Sequence, residues 1–240
     1  MLCSSAVGFP KKTMSSLTSV DIAVSVIQLS DAIKILGVTL DSRLSMGPHT
    51  KALFKFCFHH LRSFKQICSS MDYPMSVFIA SALVSSYLDY VNSVLVDCPQ
   101  KHIARPQRVH HALARVVMQQ FTCLSLTSID SLEQLHWLPV EWRIRFKLAS
   151  STYKALHTGN LPYLADLLHH DKSARFTHSS SSHHIDVPRH NLFFFGSHAF
   201  QFSAPQVYNS IPIHIHQAHT LNSFGCRLKT YYFQSAYLAP

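Results

Sequence analysis

Carboxylates are scarce in this chain: 240 residues carry twelve, and no two of them are adjacent. Two-metal phosphoryl chemistry needs several carboxylates converging on ions about 3.5–4 Å apart, a requirement that singly scattered acids do not meet. Glycine is equally sparse, with six in all, and there is no phosphate-cradling glycine loop, no G-x-S-x-G elbow and no H-E-x-x-H pair. An independent hydrolase or metalloenzyme is therefore not expected, and neither is a cofactor. The six cysteines, Cys3, Cys57, Cys68, Cys98, Cys123 and Cys226, never form a C-x-x-C pair. Without that spacing they read as free thiols in a reducing, intracellular compartment, nucleus or cytoplasm. Long apolar runs are missing too. The richest window, 76–91, is broken by Ser81, Ser85, Ser86 and Asp89, too short and too polar to cross a bilayer.

What is present is a core-forming composition with a thin solubilising shell: 47% hydrophobic residues against 14% charged. Lysine and arginine number 21 against the 12 acids, a net charge of +9 before any of the 18 histidines is protonated. A polyanionic partner follows, because each cation set against a phosphate releases counterions. The first 18 residues are Ser-rich, acid-free and without arginine. They suit a reading frame opened at an internal methionine better than a transit peptide.

Along the chain, Ile33–Leu40 is β-branched and aliphatic, a strand pattern that stops at Asp41-Ser42, with 22–29 as its expected hairpin partner. Helical periodicity begins at Pro48 and runs in three segments. On the first, at about 100° per residue, Lys51, Lys55, Arg62 and Lys65 share a narrow arc, opposite Leu53, Phe56, Cys57, Leu61, Phe64 and Ile67. Asp72 and Pro74 open the second, which is apolar on most sides and is expected to be the buried member. On the third, about 101–120, Lys101, Arg105, Arg108 and Arg115 share one arc and Ile103, Val109, Leu113, Val116 and Val117 the other. Pro106 predicts a late start or a kink there. Thr127-Ser128 caps a short helix, Pro139 opens a longer one and Gly159 ends it, with Arg143, Lys147, Ser150 and Lys154 as its single polar stripe. Residues 171–186, rich in Ser and His, read as a mobile linker, 187–202 as a hairpin, and 221–236 as a terminal helix.

Histidine offers a zinc reading at His214, His216 and His219, but a structural zinc wants four ligands at fixed spacing, and only Cys226 lies near. Asp89, alone in an apolar segment, reads as a structural hydrogen-bonding group or a surface residue rather than a catalytic one, since a lone carboxylate cannot hold two metals. The basic arcs carry the stronger signal, since helices presenting Lys and Arg can track a nucleic-acid backbone without reading its sequence.

Specific strings then set the context. Ile35-Leu36-Gly37-Val38-Thr39-Leu40-Asp41 with Leu44-Ser45-Met46, Tyr87-Leu88-Asp89-Tyr90-Val91-Asn92 and Leu113-Ala114-Arg115-Val116-Val117 come first. They are followed by His136-Trp137-Leu138-Pro139-Val140, Arg143-Ile144-Arg145-Phe146-Lys147, Thr152-Tyr153-Lys154-Ala155-Leu156-His157 and Tyr208-Asn209-Ser210-Ile211-Pro212. In this order they resemble the part of non-LTR (LINE-type, Jockey-like) retrotransposon reverse transcriptases that follows the catalytic palm. The resemblance covers about 30–237. It implies a mostly α fold: a palm-edge β-hairpin (1–46), a three-helix thumb bundle (47–122), a helical region (123–170), the linker (171–186), and a small α+β end with hairpin and terminal helix (187–240). It also implies that this chain is no enzyme by itself, because the family's catalytic aspartates lie upstream of its motifs. Its expected partner is an RNA–DNA or DNA duplex, held by Lys51, Lys55, Arg62, Lys65, Lys101, Arg105, Arg108, Arg115, Arg143, Lys147 and Lys154 as phosphate contacts. Tyr87 stands where the family usually has arginine, and His198 likewise, so a degenerate copy is one alternative. An interaction or scaffold protein, self-associating through an uncovered palm edge, is the other.

Overall fold

The computed structural model describes residues 19–22, 25–28, 30–90, 92–121, 127–169, 184–188 and 199–238. The fold is mostly helical, with antiparallel hairpins ahead of the helices. β1 (Ser19–Ile22) pairs with β2 (Ser25–Gln28), and β3 (Ala32–Ile35) pairs with β4 (Val38–Asp41). The single strand expected over 33–40 is thus folded back on itself, and 25–28 pairs with 19–22 instead. The reason is local. Ile35 opposes Val38, which leaves a two-residue loop with φ of 47° at Leu36 and 82° at Gly37. Positive φ at both loop residues marks the primed hairpin turn, whose twist matches that of the strands. Glycine takes that conformation freely, and the Tyr90 hydroxyl donates to the Leu36 carbonyl at 2.9 Å. Leucine is the strained partner, since its Cβ crowds the next carbonyl in the left-handed region. Leu36→Asn, supplying the residue such turns favour, should stabilise the hairpin by about 0.5–1 kcal/mol and slow amide exchange across β4. Unchanged exchange would mean that the turn is held by Tyr90 alone.

α1 (Gly47–Cys68) buries Cys57, Leu61, Phe64 and Cys68 on one stripe. Phe56 and Ile67, expected on the covered side, are instead exposed, because the apolar arc is wider than the seam its neighbours cover. The middle arm is one continuous path of α2 (Tyr73–Ala80), a π-helical turn (Ser81–Ser85) and α3 (Ser86–Asp89). Asp72 caps it by accepting from the Met75 N–H at 2.9 Å. It is not buried on most sides: Ser76, Ala80, Val84 and Leu88 face the core while Met75, Phe78 and Tyr87 are exposed. A 3-10 turn (Asn92–Leu95) leads to α4 (Gln100–Phe121), which starts before Pro106 and runs through it. The buried stripe Val109, Leu113 and Val117 outweighs the one backbone bond that proline removes. The N-terminal ends of α1 and α4 meet, where Arg105 donates to the Gly47 carbonyl and to Thr50 Oγ1. The two helices then run side by side in the same direction.

Thr127 and Asp130 form a reciprocal capping box at α5 (Ser128–Gln134). Leu132, Leu135 and Trp137 complete the first hydrophobic core, made of α1, the middle arm and α4. A second core forms around α6 (Val140–Thr158), which stops at Gly159 with φ of 64°. The short α7 (Pro162–Ala165) follows, then α8 (Phe200–Asn209), α9 (Ile213–His216) and α10 (Leu221–Tyr237). Tyr153 stacks on Phe224 at 4.2 Å and donates to the Ala218 carbonyl at 2.6 Å, tying α6 to the end of the chain.

Two expectations change here. Of the hairpin over 187–202, residues 189–198 lie outside the described residues, and Phe200–Phe202 belong to α8, whose Ala204 and Tyr208 pack into the second core. Of the linker over 171–186, residues 171–183 lie outside them, but its end is docked. Ile185 is buried, and Asn209 both donates to its carbonyl and accepts from its N–H. Among the described residues no helix is long and apolar enough to cross a membrane.

Candidate nucleic-acid interface

The eleven cations expected to meet phosphate divide into three groups. On α1, Lys51, Lys55, Arg62 and Lys65 are all exposed, as are Lys101, Arg108 and Arg115 on α4. Among the described residues none of these seven has an ion-pair partner, the side-chain ion pairs there being Arg143–Asp89 and Arg145–Glu141. The two arcs adjoin. On α1, Phe56 and His60 pack against Tyr87 of α3, and Lys51, Lys55 and Arg62 lie on the opposite flank, the one next to α4. On α4, Arg105 marks the flank next to α1, and Lys101, Arg108 and Arg115 fall within about 80° of it, turned away from the core. The solvent-facing sides of these two adjoining helices thus both carry positive charge.

Two arginines do not join this set. Arg105 is half-buried, and its guanidinium is occupied by Gly47 and Thr50. Arg143 points inward. Its Nε donates to Asp89 Oδ1 at 2.7 Å and its Nη2 to Asp89 Oδ2, a bidentate pair with the arginine side chain only 16% exposed. The stripe on α6 that the sequence presents as one basic edge is therefore split, because Asp89 of α3 lies opposite its first member.

The same arginine reaches His110 Nε2 at 3.3 Å. Burial, then the charge of Arg143, holds His110 well below the usual histidine range. The ring is neutral and accepts at Nε2, which leaves its proton on Nδ1. It stacks on Trp137, with centroids 5.3 Å apart. Gln107 Oε1 accepts from the Val140 N–H at 2.8 Å, capping α6 from α4, and the Tyr237 hydroxyl donates to the Trp137 carbonyl. Asp89, Arg143, His110, Gln107 and Tyr237 together form the polar junction between the two cores.

Lys147 and Lys154, the remaining members, line clefts along the packing seam of α6 and α10. Lys229, which sequence reasoning does not single out, stands beside Lys147. A signal exists, since Asn222, Cys226 and Lys229 form an i, i+4, i+7 stripe on the terminal helix. The histidine run does not converge: His216 is buried with its Nε2 at the Ile211 carbonyl, while His214 and His219 are exposed. No family model, curated protein or solved structure matches the chain.

Proposed function

We propose that this chain corresponds to the thumb and trailing region of a LINE-type reverse transcriptase, the part that follows the catalytic palm, and that it grips a nucleic-acid duplex through phosphate contacts without reading sequence. The observation that carries the reading is the pair of basic arcs on the adjoining helices α1 and α4, seven exposed cations without acidic partners among the described residues. Unneutralised, parallel rows of charge on neighbouring rigid helices match a polyanionic rod, which they position rather than discriminate. The resemblance of the ordered motifs from Leu36-Gly37 to Tyr208-Asn209 is what supports the family. Catalysis is no part of the proposal.

The test is the salt dependence of binding of the purified chain to a short RNA–DNA hybrid, followed by fluorescence anisotropy. With most of the seven cations engaged, log K should fall against log salt with a slope of about −4 to −6, by a counterion release of ~0.9 per phosphate contact. A flat response, or no binding at low salt, would refute the duplex reading.

A second reading is favoured by one specific feature. Strand β3 and the turn after it are bare, with Ile33, Ile35 and Leu36 58%, 47% and 83% exposed. An apolar edge of this kind suits association with another chain or with a second copy. Elution volume that reports a dimer, unchanged by the hybrid, would favour this scaffold role.

A further inference from the structure

The seam of α6 and α10 holds two adjoining clefts, of about 430 and 730 Å³, which share Phe146, Lys147 and Lys229. Gly225 lines the larger cleft opposite Phe146, where a Cβ would make only an ordinary 3.9 Å contact with the ring, so the packing of the seam does not depend on the glycine. We propose that these clefts form a track for single-stranded nucleic acid, with the smaller one taking an unpaired nucleotide unit. The proposal rests on the nucleic-acid reading above but concerns a different surface and a different form of the polymer.

Charge comes first. The smaller cleft carries Lys147, Lys229 and Arg143 against one acid, Asp89, which Arg143 already neutralises. Both lysines are left for an anion. The larger cleft adds Lys154, set about 10 Å from Lys147 by the rise of the helix, so the positive charge continues along the seam. The walls come second. Leu138 and Phe146 give the smaller cleft an apolar side suited to a base face, the sequence-tolerant mode of holding unpaired bases. Third is an unsatisfied acceptor. Asn92, 3% exposed, lines this cleft, and its Nδ2 donates to Asp89 Oδ1, but its Oδ1 has no partner. A buried amide oxygen without a donor is rare. Its surface is closed to solvent, so the edge of an unpaired base or a sugar hydroxyl would supply one only once the Asn92 amide turns toward the cleft. Ser150 Oγ, also buried without a partner, stands in the larger cleft.

A duplex fits none of this, because its base edges are paired and its width far exceeds a cleft of this size. Ser81, which begins the π-helical turn, also lines the smaller cleft. Such turns recur at functional sites.

The experiment uses the whole chain with a fluorescent single-stranded oligonucleotide of about ten nucleotides, the duplex probe, and a nucleoside monophosphate as three separate arms. Lys147→Ala/Lys229→Ala removes two exposed cations, and Phe146→Leu keeps apolar packing while removing the ring face. Each variant should weaken single-strand binding about tenfold or more, while duplex binding stays within about twofold. Alkylation of Cys226, exposed in the larger cleft and read by peptide mass, should slow when the single strand is bound and not when the duplex is. Duplex binding with no single-strand binding overturns this proposal and leaves the thumb reading standing; binding of neither overturns both. Equal losses for both probes, or a mononucleotide bound as tightly as the oligonucleotide, also overturn the track.

Discussion

Asp89→Ala should lower the unfolding free energy by about 2–3 kcal/mol, measured by urea denaturation. Removing one partner of a fully buried pair typically destabilises by about 3–5 kcal/mol, and the lower range here reflects the partial solvation of the aspartate. Arg143 is the side that suffers, since its guanidinium is 16% exposed and the Asp89 carboxylate 42%. It would be left facing a neutral imidazole at His110 and Lys147 one turn along the helix. Arg143→Lys should recover little, because a single ammonium cannot make the two parallel bonds of the guanidinium fork. Asp89→Leu/Arg143→Met should come out near wild type, as apolar replacements of buried pairs often do. The consequence reaches beyond stability. Asp89 ends the middle arm of the first core and Arg143 belongs to α6 of the second, so the pair joins the two packing units. A loss below about 0.5 kcal/mol for Asp89→Ala, the level of a solvated surface pair, would show that Gln107 and Tyr237 carry the junction instead.

The second large effect is on binding. Lys51→Glu/Arg62→Glu/Arg108→Glu replaces three exposed cations on the solvent-facing sides of α1 and α4. Duplex affinity at about 100 mM salt should drop on the order of 100-fold or more, and the salt slope should become shallower by roughly 2–3 units, about 0.9 for each phosphate no longer engaged. The fold should be unaffected, since these side chains make no ion pair among the described residues. An unchanged slope with an intact fold would remove these arcs from the interface. Single-strand binding at the α6–α10 clefts should persist in this variant, so the two surfaces can be separated by mutation.

Local signals are legible where the chemistry is local. Asp72, Thr127 and Gly159 act at helix ends as their side chains or lack of one dictate. The basic arcs are visible because a helix repeats on a fixed angle and charge finds solvent. The departures share a cause. Leu36-Gly37 does not read as a turn because leucine rarely accepts positive φ, and Tyr90, 54 positions away, helps to hold it. Phe200–Phe202 alternates like a strand, yet it is helical because Ala204 and Tyr208 find α6. Ile185 sits in a polar stretch with the composition of a linker, but Asn209 supplies the backbone partners a strand neighbour would have given.

From the residues alone come the helical class, the helix ends, the excess of positive charge and the faces on which it lies, because each depends on neighbours within a turn or two. Only the folded chain decides which cations are free. Arg143 and Lys147 sit on the same helix stripe, and one is bound inside while the other is open because Asp89 lies opposite the first and a cleft opposite the second. What a side chain meets across a packing seam is set by elements distant in sequence, and no periodicity within its own helix encodes that.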